Sequence, residues 1–394
     1  MNGSDVPVSP PNGTVDQNLY TTWYSLLFSP STMNGSGVPV SPPNGTADGN
    51  PYTISTAEKA VEISLLVIVL FFAFCGNLLV WVSVLWKRNL RRETANYLIL
   101  SLSAADMTVA AFNLPFTVSA VALGGWVLGD GACAFLGFSN MITFVASVMN
   151  LAAIGVNRFC IIVHYTKYPD YFDQRGTAMT ITGVWLLSIL LAVPPLLGWA
   201  EYAYLPGQSI CFCNWPSSVS YTFFMVAVCF GGPSSVMAFC YTRIITAVRE
   251  SRRRVRQVDE AASSRAPPIR SAFVRPQVEN SESTEDRFRS ISSIKSQKHE
   301  EAKKRKARED DIKLTKSFVV VILVFTICWL PFCVTMFWSV FSPTPVPRLV
   351  DMAALMLGYS NSCWNPIIYG VMNSKFRAAF KELLRKLFQC NWKR

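Results

Sequence analysis

The chain has 394 residues, of which 51% are hydrophobic and only 15% charged, with a formal net charge of +11. Soluble domains carry about 25% charged residues, so this composition excludes an ordinary soluble protein and points to a membrane chain. The positive charge does not mark a nucleic-acid partner: no Lys or Arg precedes Lys59, 19 of the 36 lie between Arg249 and Lys316, and no groove-reading domain accompanies them.

Residues 1–57 are rich in Asn, Ser, Thr, Pro and Gly and cannot build a core. Within them MNGSDVPVSPPNGTVD returns 32 residues later as MNGSGVPVSPPNGTAD, and each copy holds two glycosylation acceptors, Asn2 and Asn12, then Asn34 and Asn44. A disordered, glycosylated extracellular tail is expected. The basic residues flanking the later apolar runs place the N-terminus outside, by the positive-inside bias. With no signal-peptide core in view, the first hydrophobic helix would serve as the signal anchor.

Seven apolar runs follow, at roughly 61–86, 96–122, 131–164, 177–199, 220–247, 312–340 and 348–372, each long enough to cross a bilayer as a helix. An odd number of crossings puts the C-terminus inside. The predicted fold is an all-α membrane protein: a seven-transmembrane helix bundle over 58–373, with an amphipathic C-terminal helix on the inner face. Between runs five and six, residues 249–311 are charged and Ser-rich, a cytoplasmic loop whose Ser290–Ser293 region, beside basic residues, reads either as a kinase target or, more plainly, as part of a solvated loop. In the final segment, 374–394, Phe376, Phe380, Leu383, Leu384 and Leu387 form a helical apolar stripe against a basic face, which suits the membrane surface. Cys390 just beyond can carry a palmitoyl chain.

Run three is the most informative. Cys133 and Arg158 bracket it, 25 residues apart, which is roughly 37 Å along a helix. The cysteine therefore lies at one membrane face and the guanidinium at the other; a disulfide needs the oxidising face. Cys133, Cys211 and Cys213 are the extracellular candidates, enough for one bridge and one spare thiol. The other membrane cysteines read as small buried hydrophobes, and His164 and His299, the two histidines, offer no metal spacing. No nucleophile–base pair or phosphate loop is present, so an enzyme is not expected.

Polar side chains inside a bilayer are costly and mark functional positions. Asn77, Asp106, Ser147, Asn361, Ser362 and Asn365 fall within the runs and form a candidate polar cluster. Asp106 has no basic partner at its depth and must pair with amides and hydroxyls, bind a cation or take up a proton. An interhelical hydrogen-bond knot is the plainest role. Pro194, Pro195, Pro233, Pro331 and Pro366 each remove a helical hydrogen bond and mark hinges.

Asn77, Asp106, Cys133, Arg158, Trp185, Pro233, Pro331 and Pro366, in this order, resemble the marker residues of the seven helices of rhodopsin-like G-protein-coupled receptors, from about Val61 to Phe388. The motifs Asn157-Arg158-Phe159, Cys328-Trp329-Leu330-Pro331 and Asn365-Pro366-Ile367-Ile368-Tyr369 carry the same resemblance, as do Tyr241 and Phe325. It implies a bridge from Cys133 to Cys211 or Cys213, a resting clasp between Arg158 and Asp311, a Na⁺ site at Asp106, and activation by outward movement of helix six. The implied partners are a heterotrimeric G protein, a small-molecule ligand, arrestin, receptor kinases and the lipid bilayer. Asn157 departs from the Asp that most of the family has there, which leaves Arg158 one tie fewer.

Local stretches such as GGWVLGDGACAFLGF and NSCWNPIIYGVMNSKFR are similar to melatonin receptors, and PPLLGW is closer to opsins. The ligand residues of those branches do not carry over. Pro195 stands where melatonin receptors have Asn, and Pro366 where they have Ala. Tyr359 stands where opsins have the Schiff-base lysine, which excludes retinal as a cofactor, and Asn140 where amine receptors have an acid. The family geometry implies a pocket of Asn140, Met225, Val226, Cys229, Trp329, Phe332 and Tyr359, apolar and aromatic with an amide and a phenol, suited to a small uncharged lipophile. Two rivals stand beside the signalling receptor: a decoy that binds without signalling, and a transporter, for which the repeats of the membrane region are missing.

Overall fold

The structure, a computed structural model, describes residues 54–265 and 315–391. The glycosylation candidates Asn2, Asn12, Asn34 and Asn44, the kinase-target serines and Asp311 lie outside the described residues, as does the side chain of Cys390.

Helix α1 (Thr56–Trp86) opens on a capping box. Ser55 Oγ accepts from the Glu58 N–H at 3.2 Å, and Glu58 Oε2 accepts from the Ser55 N–H at 2.8 Å. Helix α2 (Ala95–Leu123) ends at Gly124, whose φ of 77° is the left-handed turn that a glycine adopts without strain. Helix α3 (Asp130–Val163) is 34 residues long. Helix α4 (Gln174–Ala192) is capped by Asp173, whose Oδ1 accepts from the Gly176 N–H at 2.6 Å. Helix α5 (Val219–Ser251 as a membrane span) continues inward to Arg265. Helices α6 (Thr315–Phe341), α7 (Arg348–Met372) and α8 (Ser374–Asn391) complete the set.

Four of the prolines act differently from a simple kink. Pro194 and Pro195 end α4 outright, in a 3-10 turn over Pro194–Leu197 that closes at Gly198. Pro233 follows a π-helical segment, Val226–Gly231, and Pro115 follows another, Val109–Asn113. A proline ring crowds the carbonyl four residues earlier and supplies no N–H. Widening the turn just before it absorbs that conflict without breaking the helix. Pro331 and Pro366 remain inside continuous helices.

Six helices are long and apolar enough to cross a membrane. The seventh, α7, is long enough at 25 residues but carries Asp351, Tyr359, Ser360, Asn361, Ser362 and Asn365. Most of these face inward, where the polar groups of other helices meet them. Helices α2 and α3 are the most enclosed: 61% of the most apolar stretch of each is buried, against 22% for α1 and 28% for α4. The outer faces present Phe71, Phe72, Leu186, Leu190, Leu323 and Ile327, the surface that a bilayer covers.

Small residues let the helices close on one another. A Cβ on Gly76 of α1 would meet the Pro366 ring of α7 at 3.0 Å. Trp185 Nε1 donates to Ser101 Oγ at 3.0 Å and ties α4 to α2. Helix α8 is pinned by buried Phe376 and by the pairs Lys87–Glu382 and Lys375–Glu93. Glu382 is held below the usual carboxylate range chiefly by its hydrogen bond from Lys87. Leu384 and Leu387 stay exposed on the helix, as an apolar stripe meeting lipid would be.

One element has no counterpart in the sequence reading. The α4–α5 connection holds a two-stranded antiparallel hairpin, β1 (Tyr202–Leu205) and β2 (Ile210–Cys213), with Tyr202 opposite Cys213 and Leu205 opposite Ile210. Four-residue strands are too short to show an alternating pattern, and β2 is buried at every position.

The α1–α7 contact yields a prediction. Gly76→Leu forces the Pro366 ring aside and lowers stability by about 1–3 kcal/mol, the usual cost of overpacking. A thermal melt of the purified receptor checks this, with Gly125→Leu, whose Cβ meets nothing within 4 Å, as the control.

Candidate ligand chamber and switch

The outer end of the bundle is organised by the disulfide Cys133–Cys211, which ties the hairpin to the start of α3. Cys213 is left as a buried free thiol, and burial pushes it well above the usual thiol range. Asn140 Nδ2 donates to the Cys211 carbonyl at 3.1 Å. Tyr202 Oη donates to the Ala192 carbonyl at 2.7 Å, binding β1 to the end of α4. A Cβ on Gly137 would meet the Tyr202 ring at 2.7 Å, so only glycine lets β1 lie this close to α3. On the far side Arg348 donates to Glu62 Oε2 at 2.8 Å, to Ser209 Oγ at 3.0 Å and to the Pro206 carbonyl. Gln208 Nε2 donates to Asp351 at 2.7 Å. Helices α1, α3, α4 and α7 thus all hold the hairpin over the bundle.

Beneath it lies a cavity of about 40 Å³. Asn140, Trp329, Phe332 and Tyr359 line it, four of the seven side chains that the sequence resemblance placed in the pocket. Met225, Val226 and Cys229 do not. The α5 side is filled instead by an aromatic ladder in which Phe332, Phe212, Trp215 and Tyr221 touch in turn, at centroid separations of 6.0, 5.8 and 6.4 Å. Met225 packs in the core, and Cys229 faces a second cavity lower down. Sequence reasoning missed the two residues that form the roof, Ile210 and Phe212. The apolar Ile210-Cys211-Phe212 beside a bridging cysteine was the available signal, since an exposed loop has little use for it.

The floor of the cavity is Trp329. Its ring packs on Phe144 at 4.8 Å and Phe332 at 5.5 Å, and Gly358 makes room for it. The cavity also reaches Asp106, Ser147, Asn361 and Ser362. Asp106 accepts from Ser362 Oγ at 2.8 Å through one carboxylate oxygen and from Asn365 Nδ2 at 2.8 Å through the other. Asn77 Nδ2 donates to the Ser362 carbonyl at 2.9 Å, joining α1 to this α2–α7 knot. Ser147 Oγ and Asn77 Oδ1 have no partner among the described residues. One carboxylate among hydroxyl and amide oxygens is a donor set for a hard monovalent cation. The described residues hold no cluster of His, Cys, Asp and Glu for a transition metal.

At the inner end Arg158 is 3% exposed, and its guanidinium carbon lies 5.1 Å from the Phe318 ring of α6. Asn157 is fully buried and donates to Tyr168 Oη at 3.5 Å; that hydroxyl also lies 3.2 Å from Thr94 Oγ1. The amide therefore ties α3 to the short turn that follows it and to the start of α2. Phe159 packs on His164 and on Phe239 of α5. Tyr369 is fully buried between Phe318 and Phe376, and neither its hydroxyl nor that of Tyr241 has a partner among the described residues. The structure thus gathers Arg158, Tyr241 and Tyr369 around α6, while Asp311 is not described.

This arrangement, with a lidded chamber at one end of the bundle and a buried arginine and two tyrosines at the other, agrees with the comparisons to known proteins. Residues 76–369 match the family 7 transmembrane receptor (rhodopsin family). The chain belongs to this family, the class A G-protein-coupled receptors, which are receptors rather than enzymes. It is 30% identical over 317 residues to melatonin receptor type 1B of Mus musculus, covering 79% of this chain and 74% of that one. It is also 30% identical over 338 residues to the alpha-1D adrenergic receptor of Sus scrofa, covering 82% of this chain and 56% of that one. Squid rhodopsin superposes with a TM-score of 0.69 at 20% identity, over 88% of this chain and 92% of its own, a likeness of fold. The protein is accordingly a multi-pass receptor of the plasma membrane.

The two loop cysteines should behave differently. Cys213→Ser keeps the Cys133 bridge, so surface expression and the number of thiols released by reduction stay at wild-type values. Cys211→Ser loses the bridge and the hairpin's anchor, and surface expression falls several-fold, as for loss of a native disulfide. Thiol counting with a mass-tagged maleimide, before and after reduction, distinguishes them.

Proposed function

We propose that this receptor binds a small, uncharged, lipophilic ligand at its extracellular chamber and activates a heterotrimeric G protein by outward movement of α6. The observation that carries the reading is that α6 touches both ends through aromatic contacts. Its Trp329 floors the chamber and its Phe318 stacks on Arg158. A ligand that repositions Trp329 therefore biases the helix that closes the inner cleft. The chemistry of the ligand follows from the lining. Asn140 and Tyr359 are neutral and offer an amide and a phenol, no acid stands at Asn140 for a cationic amine, and the one carboxyl the cavity reaches, Asp106, is already bonded by Ser362 and Asn365. No lysine occurs in α7, so a retinal Schiff base has no attachment point.

At about 40 Å³ the chamber is far smaller than an ordinary ligand pocket. Binding therefore requires Phe212 and the hairpin to give way, and ligand entry is coupled to loop displacement. Na⁺ at Asp106, with Ser147 as a further oxygen, would favour the resting packing of α2, α3 and α7. The N-terminus lies outside and the C-terminus inside, which gives arrestin and receptor kinases access to the loop before α6 and to the segment after α8. A receptor that binds without signalling is the second reading, and Asn157 is the residue that favours it.

Two tests follow. Basal cAMP, Ca²⁺ and G-protein dissociation are read in cells expressing wild type, Arg158→Ala or Asp311→Ala at matched surface levels. Output is expected to fall in the arginine variant and to climb in the Asp311 variant. Flat traces in all three, with no rise when wild-type expression is increased, favour the decoy. Separately, replacing choline by Na⁺ in membranes should lower basal G-protein nucleotide exchange for wild type but leave Asp106→Asn unchanged. Equal responses to Na⁺ would remove the ion from this site.

A further inference from the structure

A cavity larger than the extracellular chamber lies elsewhere in the bundle. It lies between α5 and α6 below Trp329 and measures about 300 Å³. Its α5 wall is Cys229, Phe230, Ser234, Met237, Ala238 and Tyr241, spaced along one helical face. Val319, Leu323, Thr326, Leu330 and Cys333 are among the α6 residues opposite. The two helices are held apart because each is disturbed where they would meet. The π-helical segment Val226–Gly231 and Pro233 bend α5, and Pro331 removes a hydrogen bond from α6.

Three observations say what such a space takes. No charged side chain lines it. It opens sideways, at Leu323 and Leu330, which are 57% and 59% exposed on the face that lipid covers. Two of the residues that line it, Trp329 and Tyr241, each carry a buried hydrogen-bonding atom, Nε1 and Oη, with no partner among the described residues. Such groups in a membrane interior are costly unless something satisfies them. An indole N–H can only donate, so its partner must be an acceptor.

We infer that the α5–α6 cavity is a second binding site, entered from the bilayer, for an uncharged lipophile that carries a hydroxyl, carbonyl or ether oxygen. The apolar body fills the space between Met237 and Leu323, and the oxygen accepts from Trp329 Nε1 or pairs with Tyr241 Oη once either side chain turns toward it. The occupant touches the underside of the residue that floors the extracellular chamber, and at its inner end Tyr241, which packs beside Gly155 of α3. It therefore sets the spacing of α5 and α6 without competing for the chamber above. Binding here does not depend on which ligand the chamber takes or on whether the receptor signals.

The test uses the full-length receptor in phosphatidylcholine nanodiscs and a long-chain primary alcohol bearing a diazirine and an alkyne. After photolysis, adducts are mapped by peptide mass spectrometry. They should concentrate on the segments holding Met237, Leu323 and Cys333 and be suppressed by excess untagged alcohol. An alkane of equal length should compete about fivefold more weakly, the worth of one hydrogen bond. Ala238→Phe and Ser234→Leu, which fill the cavity from α5, should each abolish the saturable labelling. Adducts at lipid-facing Phe71 and Leu186 should be neither saturable nor altered. Labelling spread evenly over all lipid-facing helices, or α5–α6 adducts that excess alcohol does not displace, would overturn the site. Equal competition by the alkane would overturn the oxygen requirement. Wild-type mapping alone decides the first point, so a variant that folds poorly does not leave it open.

Discussion

The buried carboxylate of Asp106 is the constraint on which the membrane bundle depends. A carboxyl group this deep has no bulk water to turn to and must find its partners on neighbouring helices. Ser362 and Asn365 supply one hydrogen bond to each oxygen, so α7 must lie against α2 in one register. That requirement explains why α7 is the least apolar of the seven helices, and why Gly76 stands where α1 meets Pro366. Asn77 then reaches the Ser362 carbonyl and fixes α1 to the same knot. A polar cluster that glues helices in lipid is also one whose rearrangement moves them together.

Helix α6 is built the other way. Its outer face is Leu323, Ile327 and Leu330, and its inner face is an aromatic series: Phe318 on Arg158, then Phe325 and Trp329, then Phe332. Dispersion contacts of this kind are many and individually weak, so they can slide and reform where a hydrogen-bonded knot cannot. The contrast assigns the two halves their parts. The α1–α2–α7 side is held by directional bonds, and the α5–α6 side by apolar packing around a cavity of about 300 Å³.

The hairpin of the α4–α5 connection closes the outer end. Its strands are short, but the disulfide, the Asn140 amide, the Tyr202 hydroxyl and the Arg348 guanidinium attach it directly to α3, α4 and α7. This is why Phe212 can be pressed among Phe332 and Trp215 rather than left to water. The small chamber beneath is a consequence of how firmly the lid is held.

Much of this was legible in the sequence, for reasons that can be named. Apolar runs set by bilayer thickness gave the seven helices, and the low tolerance of lipid for polar side chains singled out Asn77, Asp106, Ser362 and Asn365. Both signals are local, so the chain alone determined them. Whether Cys211 or Cys213 meets Cys133 was not determined, because residues two apart share one face of a strand, and only where the hairpin docks along α3 decides which sulfur reaches Cys133. Nor was the exclusion of Met225 and Val226 from the chamber, which follows from the ladder that Phe212, Trp215 and Tyr221 build against α5. The second cavity was equally hidden. It exists only where two bent helices face each other, and no single stretch of sequence records the distance between them.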